Sequence, residues 1–145
     1  MLEIKIKPER ENFIMPIKGS INAACYDVYA AHIIFDDINK KATIYLGFST
    51  EFQPEFKAVL IPRSSITKTN WVMNNSPGII DSDYRGEWMI KISCLHLYDE
   101  EDFPFKVGER VGQFFIEEVI ELDLKLVEKT SETERGIGGF GSTNK

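Results

Sequence analysis

The sequence predicts an all-β protein, a jelly-roll-like sandwich or barrel carrying a flexible glycine-rich C-terminal arm. Short apolar runs alternate with polar residues at period two, and Gly, Pro, Asn and Asp turns separate them. The apolar content then collapses after Val127. Many short strands with frequent turns point to a sandwich or barrel.

Leu2, Ile4 and Ile6 alternate with Glu3, Lys5 and Lys7, the pattern of a half-buried strand. Thr43–Phe48 and Ala58–Ile61 are β-branched or aromatic runs closed by Gly47 and Pro62. Ser64–Asn70 is the single place where a short helix is expected. Trp88–Tyr98 sets Trp88, Ile90, Ile92 and Cys94 against Met89, Lys91, Ser93 and Leu95. Val111–Val127 is strongly apolar, and its end alternates Leu122, Leu124 and Leu126 with Asp123 and Lys125. Both stretches read as strands.

The remainder, 128–145, contains only Ile137 and Phe140 as sizeable apolar groups. Such a segment buries too little to offset its ordering entropy, so it is expected to be mobile alone. The chain therefore divides into a β-domain, 1–127, and an arm, 128–145. Residues 129–145 reach roughly 55–60 Å extended, or about 20–25 Å as a coil, enough to touch a neighbouring subunit.

One domain suits 145 residues, and a core of that size needs no disulfide staples. Cys25 and Cys94 have no ligand or redox spacing, which fits a reducing compartment. No apolar run approaches the ~20 residues of a membrane helix, and the N-terminus has no signal-peptide core. A cytoplasmic location (or a host-cell interior, for a viral chain) and no membrane partner are expected. A net charge of −6 argues against nucleic acid as a partner. A local basic patch still permits a phosphate ligand, and 135–145 contains Arg135 and Lys145 with no acid.

Five blocks bear on chemistry. Asp27 sits in Ala24–Ala30, where a lone strand carboxylate is most often a surface group. Arg63, Ser64 and Ser65 follow Pro62; hydroxyls and an Arg fork at a turn can hold phosphate, though an ordinary N-cap fits as well. Asn75–Glu87 reads as a hairpin and then a polar turn, with Asp81 and Asp83 able to orient a water or a metal. Gln113 puts one amide in the apolar strand after Gly108, and a buried amide must find partners. Arg135–Thr143 contains G-x-G-x-x-G, but no helix can follow Gly141, so the dinucleotide reading fails. Bare backbone N–H groups, Arg135 and the Ser142 and Thr143 hydroxyls still suit phosphate, and Phe140 offers a stacking ring.

In this order and spacing the five blocks resemble the five motifs of the trimeric dUTPase family, from about Ala24 to Thr143. The resemblance implies hydrolysis of dUTP to dUMP and pyrophosphate by a homotrimer with shared active sites and Mg²⁺. It makes Asp81 the catalytic carboxylate that activates water. Tyr84 then packs under the deoxyribose, and Asn75 with the backbone of Gly78, Ile79, Ile80 and Asp81 reads the uracil, Met89 lining that pocket. Arg63, Ser64, Ser65 and Gln113 hold phosphates, and Asp27 holds a magnesium-bound water. Arg135, Phe140, Gly141 and Ser142 form the closing arm. Departures are small: Cys25, Asn70 and Gly112 stand where the family more often has Gly, Gly and Ala.

Three other readings compete. A dCTP deaminase shares the fold and part of the third block, and Glu87 is its candidate base. A regulator could bind a protein partner through the acidic loop Leu97–Lys106. A zinc enzyme is disfavoured, since Cys94 and His96 lack two further ligands at usual spacing.

Overall fold

The structure is a computed structural model that describes residues 2–95 and 103–139. Its regular elements are β1 (Lys5–Pro8), β2 (Ile17–Lys18), β3 (Tyr26–Tyr29), β4 (His32–Asp36), β5 (Lys41–Tyr45), β6 (Phe48–Glu51), β7 (Phe56–Ile61), β8 (Trp71–Met73), β9 (Gly78–Ile80), β10 (Met89–Cys94) and β11 (Arg110–Glu118), with a 3₁₀ helix at Ser64–Lys68. The helix falls where a short one was expected. No helix among the described residues is long and apolar enough to cross a membrane.

Every strand pairing is antiparallel. One sheet has the order β2-β3-β11-β7-β9, a second β4-β5-β10-β8, and a third pairs β1 with β6. The expected all-β sandwich is the fold. Val28, Ala58, Leu60 and Phe114 from the first sheet and Ile44, Trp71, Ile90 and Ile92 from the second lie in one buried cluster. Trp88 closes it, stacking edge-on against Phe114 at 5.1 Å and tilted against Phe48 at 5.1 Å. Alternation along β5 (Ala42 and Ile44 buried, Lys41 exposed) and β10 (Ile90, Ile92 and Cys94 buried) is the period-two signal seen in the sequence.

The run Thr43–Phe48 is broken between β5 and β6 at Gly47, which has φ +80°. A Cβ there would lie 2.7 Å from the Ala31 Cβ, so the corner needs both the positive φ and the missing side chain.

The expected strand at Leu122–Leu126 does not form. β11 ends at Glu118, and the Val119 N–H donates to the Glu55 carbonyl. The described residues beyond are neither strand nor helix, with Leu122, Leu124 and Leu126 at 70%, 87% and 103% exposure. A strand needs a neighbour for its backbone groups, and none pairs with that stretch among the described residues. Period two was present; a pairing partner among the described residues was not.

Candidate active site

The expected site residues before the arm fall into two groups at the five-stranded sheet and its flanking turns, with Met89 on the neighbouring four-stranded sheet. The first surrounds Asp27, a buried carboxylate on β3 at 8% exposure. Its Oδ1 accepts from Arg63 Nε at 2.9 Å and its Oδ2 from Arg110 Nη1 at 3.1 Å. Asp27 pairs in register with Gln113 on β11, and Gln113 with Ile61 on β7. Gln113 donates from Nε2 to the Pro62 carbonyl at 3.1 Å, so its amide braces the corner from which Arg63 projects. Gly19, Cys25, Asp27, Arg63, Ser64, Arg110 and Gln113 line a cavity of about 330 Å³.

Charge is uneven in this cavity: two guanidinium groups face one carboxylate. The surplus positive charge, with the Ser64 hydroxyl at its edge, suits an anion rich in oxygen acceptors. Ser65 is exposed on the 3₁₀ helix just beyond. Arg110 was not among the expected site residues, although it stands in the fourth block. The signal was available: an Arg directly before the buried Val111, on a strand that bulges between Arg110 and Gly112.

The second group surrounds β9 and its flanking turns. Gly78, Ile79 and Ile80 pair with Leu60, Val59 and Ala58 of β7. A Cβ on Gly78 would come 3.1 Å from the Asn75 carbonyl, which keeps the entry to this strand tight. The Asn75 carboxamide is clipped to β10: Nδ2 donates to the Met89 carbonyl at 3.1 Å, and Oδ1 accepts from the Lys91 N–H at 2.9 Å. Asn75 therefore holds the turn and the Met89 backbone in place. Past β9, the Tyr84 N–H donates to the Asp81 carbonyl at 3.1 Å, which closes the turn. Asp81 and Tyr84 are exposed. Arg85 ties the same turn down, donating from Nη1 to the carbonyls of Ser82 at 2.7 Å and Thr50 at 3.2 Å.

The two groups are well separated. β9 lies one strand beyond β7, and Ile80 pairs with Ala58, three residues before Ile61. With strands ~4.8 Å apart and ~3.3 Å rise per residue, Ile80 lies about 14 Å across and about 10 Å along from Asp27, a diagonal of about 17 Å. Arg63 is drawn toward Asp27, away from Asp81.

Glu87 is fully engaged elsewhere. It accepts from Arg10 Nε at 2.7 Å and Nη2 at 2.9 Å, and from the Gly47 N–H at 2.9 Å. A deaminase base needs a carboxylate free to take a proton from water, and these three charge-assisted or backbone bonds oppose that. Of the arm, Arg135 is exposed and donates from Nε to the Gly138 carbonyl at 2.9 Å, with Gly136 at φ +52°. Phe140, Gly141 and Ser142 lie outside the described residues, as does most of the acidic loop.

A family model described as dUTPase matches residues 11–144. The chain belongs to the dUTPase family. Relatives named deoxyuridine 5'-triphosphate nucleotidohydrolase include that of Yarrowia lipolytica, 34% identical and covering 98% of this chain and 89% of its own. That of Nautilia profundicola is 34% identical over 99% of this chain and 100% of its own. Among solved structures, a dUTPase variant of Staphylococcus bacteriophage 80alpha, determined with dUpNHpp, superposes with a TM-score of 0.82. It is 25% identical over 97% of this chain and 98% of that one. The phage phi11 dUTPase, described with a structural Mg(II) ion, shares the fold with a TM-score of 0.73. As a dUTPase-family member the chain is a hydrolase.

Proposed function

We propose that this chain hydrolyses dUTP to dUMP and pyrophosphate at sites built jointly by neighbouring copies in a homotrimer. The carrying observation is the separation of about 17 Å between the Asp27 cavity and the end of β9, set by sheet geometry. The phosphates of one nucleotide are too short to bridge that distance, from the Asp27 cavity to the end of β9 in the same chain. A second copy resolves it: the Asp27–Arg63–Arg110 cavity of one subunit receives the phosphates, and the Asn75–Met89 hairpin of its neighbour receives the nucleoside.

The exposed segment after Val119 supports assembly. Among the described residues β1 pairs only with β6, so no described strand lies along its other edge. Beside it runs an apolar groove of about 440 Å³, lined by Leu2, Ile4, Ile6, Met15, Phe114 and Ile116 among others. Leu122, Leu124 and Leu126 of a neighbouring copy match it by period and chemistry. Burying three leucines contributes on the order of 5–9 kcal/mol before ordering costs. The arm 128–145 would then start on another subunit, within reach of its site. There Arg135, Phe140, Gly141 and Ser142 are assigned to phosphate grip, uracil lid and polar backing.

Asp81 accepts a proton from water as its oxygen attacks the α-phosphorus. The bond from that phosphorus to the oxygen bridging toward the β-phosphorus breaks, and pyrophosphate leaves with the electron pair. Tyr84 packs against the sugar where a 2'-hydroxyl would fall. The Gly78–Asp81 backbone offers the uracil its hydrogen bonds, with Asn75 keeping that backbone in place. Arg63, Arg110, Ser64, Ser65 and Gln113 face the phosphates and offset their charge.

Mg²⁺ fits this donor set in one way. No group of three or more His, Cys, Asp or Glu gathers among the described residues. Mg²⁺ commonly uses one or two carboxylates, several waters and substrate phosphates. Asp27 supplies the carboxylate, and each of its oxygens retains an acceptor site beyond its Arg partner. Bound there, the metal would neutralise phosphate charge, with Asp27 accepting from a water on it.

The test is pyrophosphate release from dUTP, dTTP, dCTP and UTP, with and without Mg²⁺. Release from dUTP alone, dependent on Mg²⁺, is expected. Equal release from UTP, or ammonia from dCTP, would overturn the reading.

A further inference from the structure

At the end of the third block, one polar cluster stands behind the Tyr84 turn and reaches outside the five blocks to Arg10. Arg10, just after β1, forks onto both oxygens of Glu87 at 2.7 and 2.9 Å. The Glu87 side chain is 16% exposed and also accepts from the Gly47 N–H at 2.9 Å. The Arg10 guanidinium lies 4.6 Å above the Tyr45 ring, so a second face of it is fixed. Gly47 is locked in turn: its carbonyl accepts from the Glu9 N–H at 2.7 Å, and its φ is +80°. Three segments distant in sequence thus meet on one carboxylate.

That carboxylate belongs to the residue on which the Tyr84 ring depends. The Tyr84 ring lies over Gly86, where a Cβ would come within 2.4 Å of Cζ. The Tyr84 hydroxyl reaches toward the Glu87 carbonyl at 3.5 Å. Gly86 has no side chain to fix its own path, so the Glu87 anchor sets where the Gly86 backbone, and hence the ring above it, sits. Tyr84 is itself exposed; the Asp81 carbonyl and Arg85 hold the backbone of its turn, while its hydroxyl reaches only toward Glu87.

We infer that Arg10, through its fork on Glu87, is a positioning residue that fixes the Tyr84 ring and thereby sets discrimination between deoxyribose and ribose. The inference rests on the proposed sugar-packing role of Tyr84. A bidentate guanidinium pair on a half-buried turn holds orientation as well as charge. Lysine at position 10 would keep the charge but lose the fork and the flat contact with Tyr45. Loosening the anchor lets the ring withdraw, which opens room for a 2'-hydroxyl. Ribonucleotide turnover then rises relative to deoxyribonucleotide turnover.

The experiment compares kcat/KM for dUTP and UTP in the wild-type protein, Arg10→Lys, Arg10→Ala and Glu87→Gln, with thermal melting of each. The expected result is a dUTP:UTP ratio reduced about tenfold or more in Arg10→Ala and Glu87→Gln, and reduced less in Arg10→Lys. A purely structural role would lower both substrates together and leave the ratio unchanged, and that result overturns the inference. If Arg10→Ala does not fold, the ratio in Arg10→Lys and Glu87→Gln decides. A wild-type protein with no preference for dUTP over UTP would instead overturn the reading of Tyr84, a distinct failure.

Discussion

Asp27 Oδ1 holds Arg63 Nε at 2.9 Å, which commits the Arg63 head to the β3 side of the sheet and leaves its terminal nitrogens for a ligand. The other oxygen does the same for Arg110 at 3.1 Å. One carboxylate therefore sets the direction of two cations. Asp27→Asn leaves both guanidinium groups without a counter-charge and removes the acceptor proposed for a metal-bound water. The expected outcome is a higher KM for dUTP and a Mg²⁺ requirement shifted to higher concentration. The stability loss should stay at about 1–2 kcal/mol, below that for a fully buried pair. Arg63 and Arg110 remain 28% and 48% exposed, and water screens them. Titrating activity against Mg²⁺, with urea melts in parallel, checks this; an unchanged Mg²⁺ requirement contradicts it.

Leu124 lies at 87% exposure between two leucines of the same period. Leu124→Asp is expected to leave each subunit folded while shifting the proposed trimer to monomer. Turnover should fall with the shift and return in part at high protein concentration. Light scattering after size exclusion measures the mass, and an unaltered trimer would remove this segment from the interface.

Much of this arrangement was legible in the sequence, for physical reasons that also explain the gaps. Period two was visible along β5 and β10 because each has one buried and one exposed face. The resemblance put Arg63, Ser64 and Gln113 on phosphates and Asp27 on a magnesium-bound water, and these four residues line one cavity. The absence of a strand at Leu122–Leu126 was not legible, because alternation marks a strand without supplying the neighbour it needs. The Asn75 amide was expected on the base, yet its two ends lie on β10. An amide's partners follow from tertiary placement, which spacing does not encode. Arg10 stands 77 residues from Glu87, and nothing local in the chain announces such a pair.

Gly47→Ala tests the corner that separates β5 from β6. A Cβ would meet Ala31 Cβ at 2.7 Å, a contact with no flexible end to yield. The positive φ adds left-handed strain of about 1–2 kcal/mol, and overpacking costs about 1–3 kcal/mol more. Denaturant melts should show a loss of roughly 2–5 kcal/mol with little change in slope. A loss below 1 kcal/mol would mean that the corner can relax.

Acid stability should depend on Glu9. The Ser49 hydroxyl, and then Lys7, hold its carboxyl below the ordinary glutamate value. In the window between the folded and unfolded values the unfolded chain binds more protons. The contribution is therefore complete above the unfolded value of about 4.3 and fades as pH falls through the lowered folded value. Glu9→Gln should flatten the stability–pH curve in that window while leaving its shape above pH 6 alone. Melting temperatures from pH 3 to 7 would show it, and an identical slope in the variant would contradict it.

Mixing two inactive variants is the most direct trial of the shared site. Asp81→Asn lacks the proposed base and keeps the phosphate cavity; Arg63→Ala lacks the phosphate fork and keeps the base. Each alone should be folded, trimeric and nearly inert toward dUTP. Unfolded together and refolded, they should recover clear pyrophosphate release, since some junctions then pair an intact Asp81 with an intact Arg63 from another chain. Release no greater than the sum of the two separate variants would contradict the account, by placing both groups of one chain on one nucleotide.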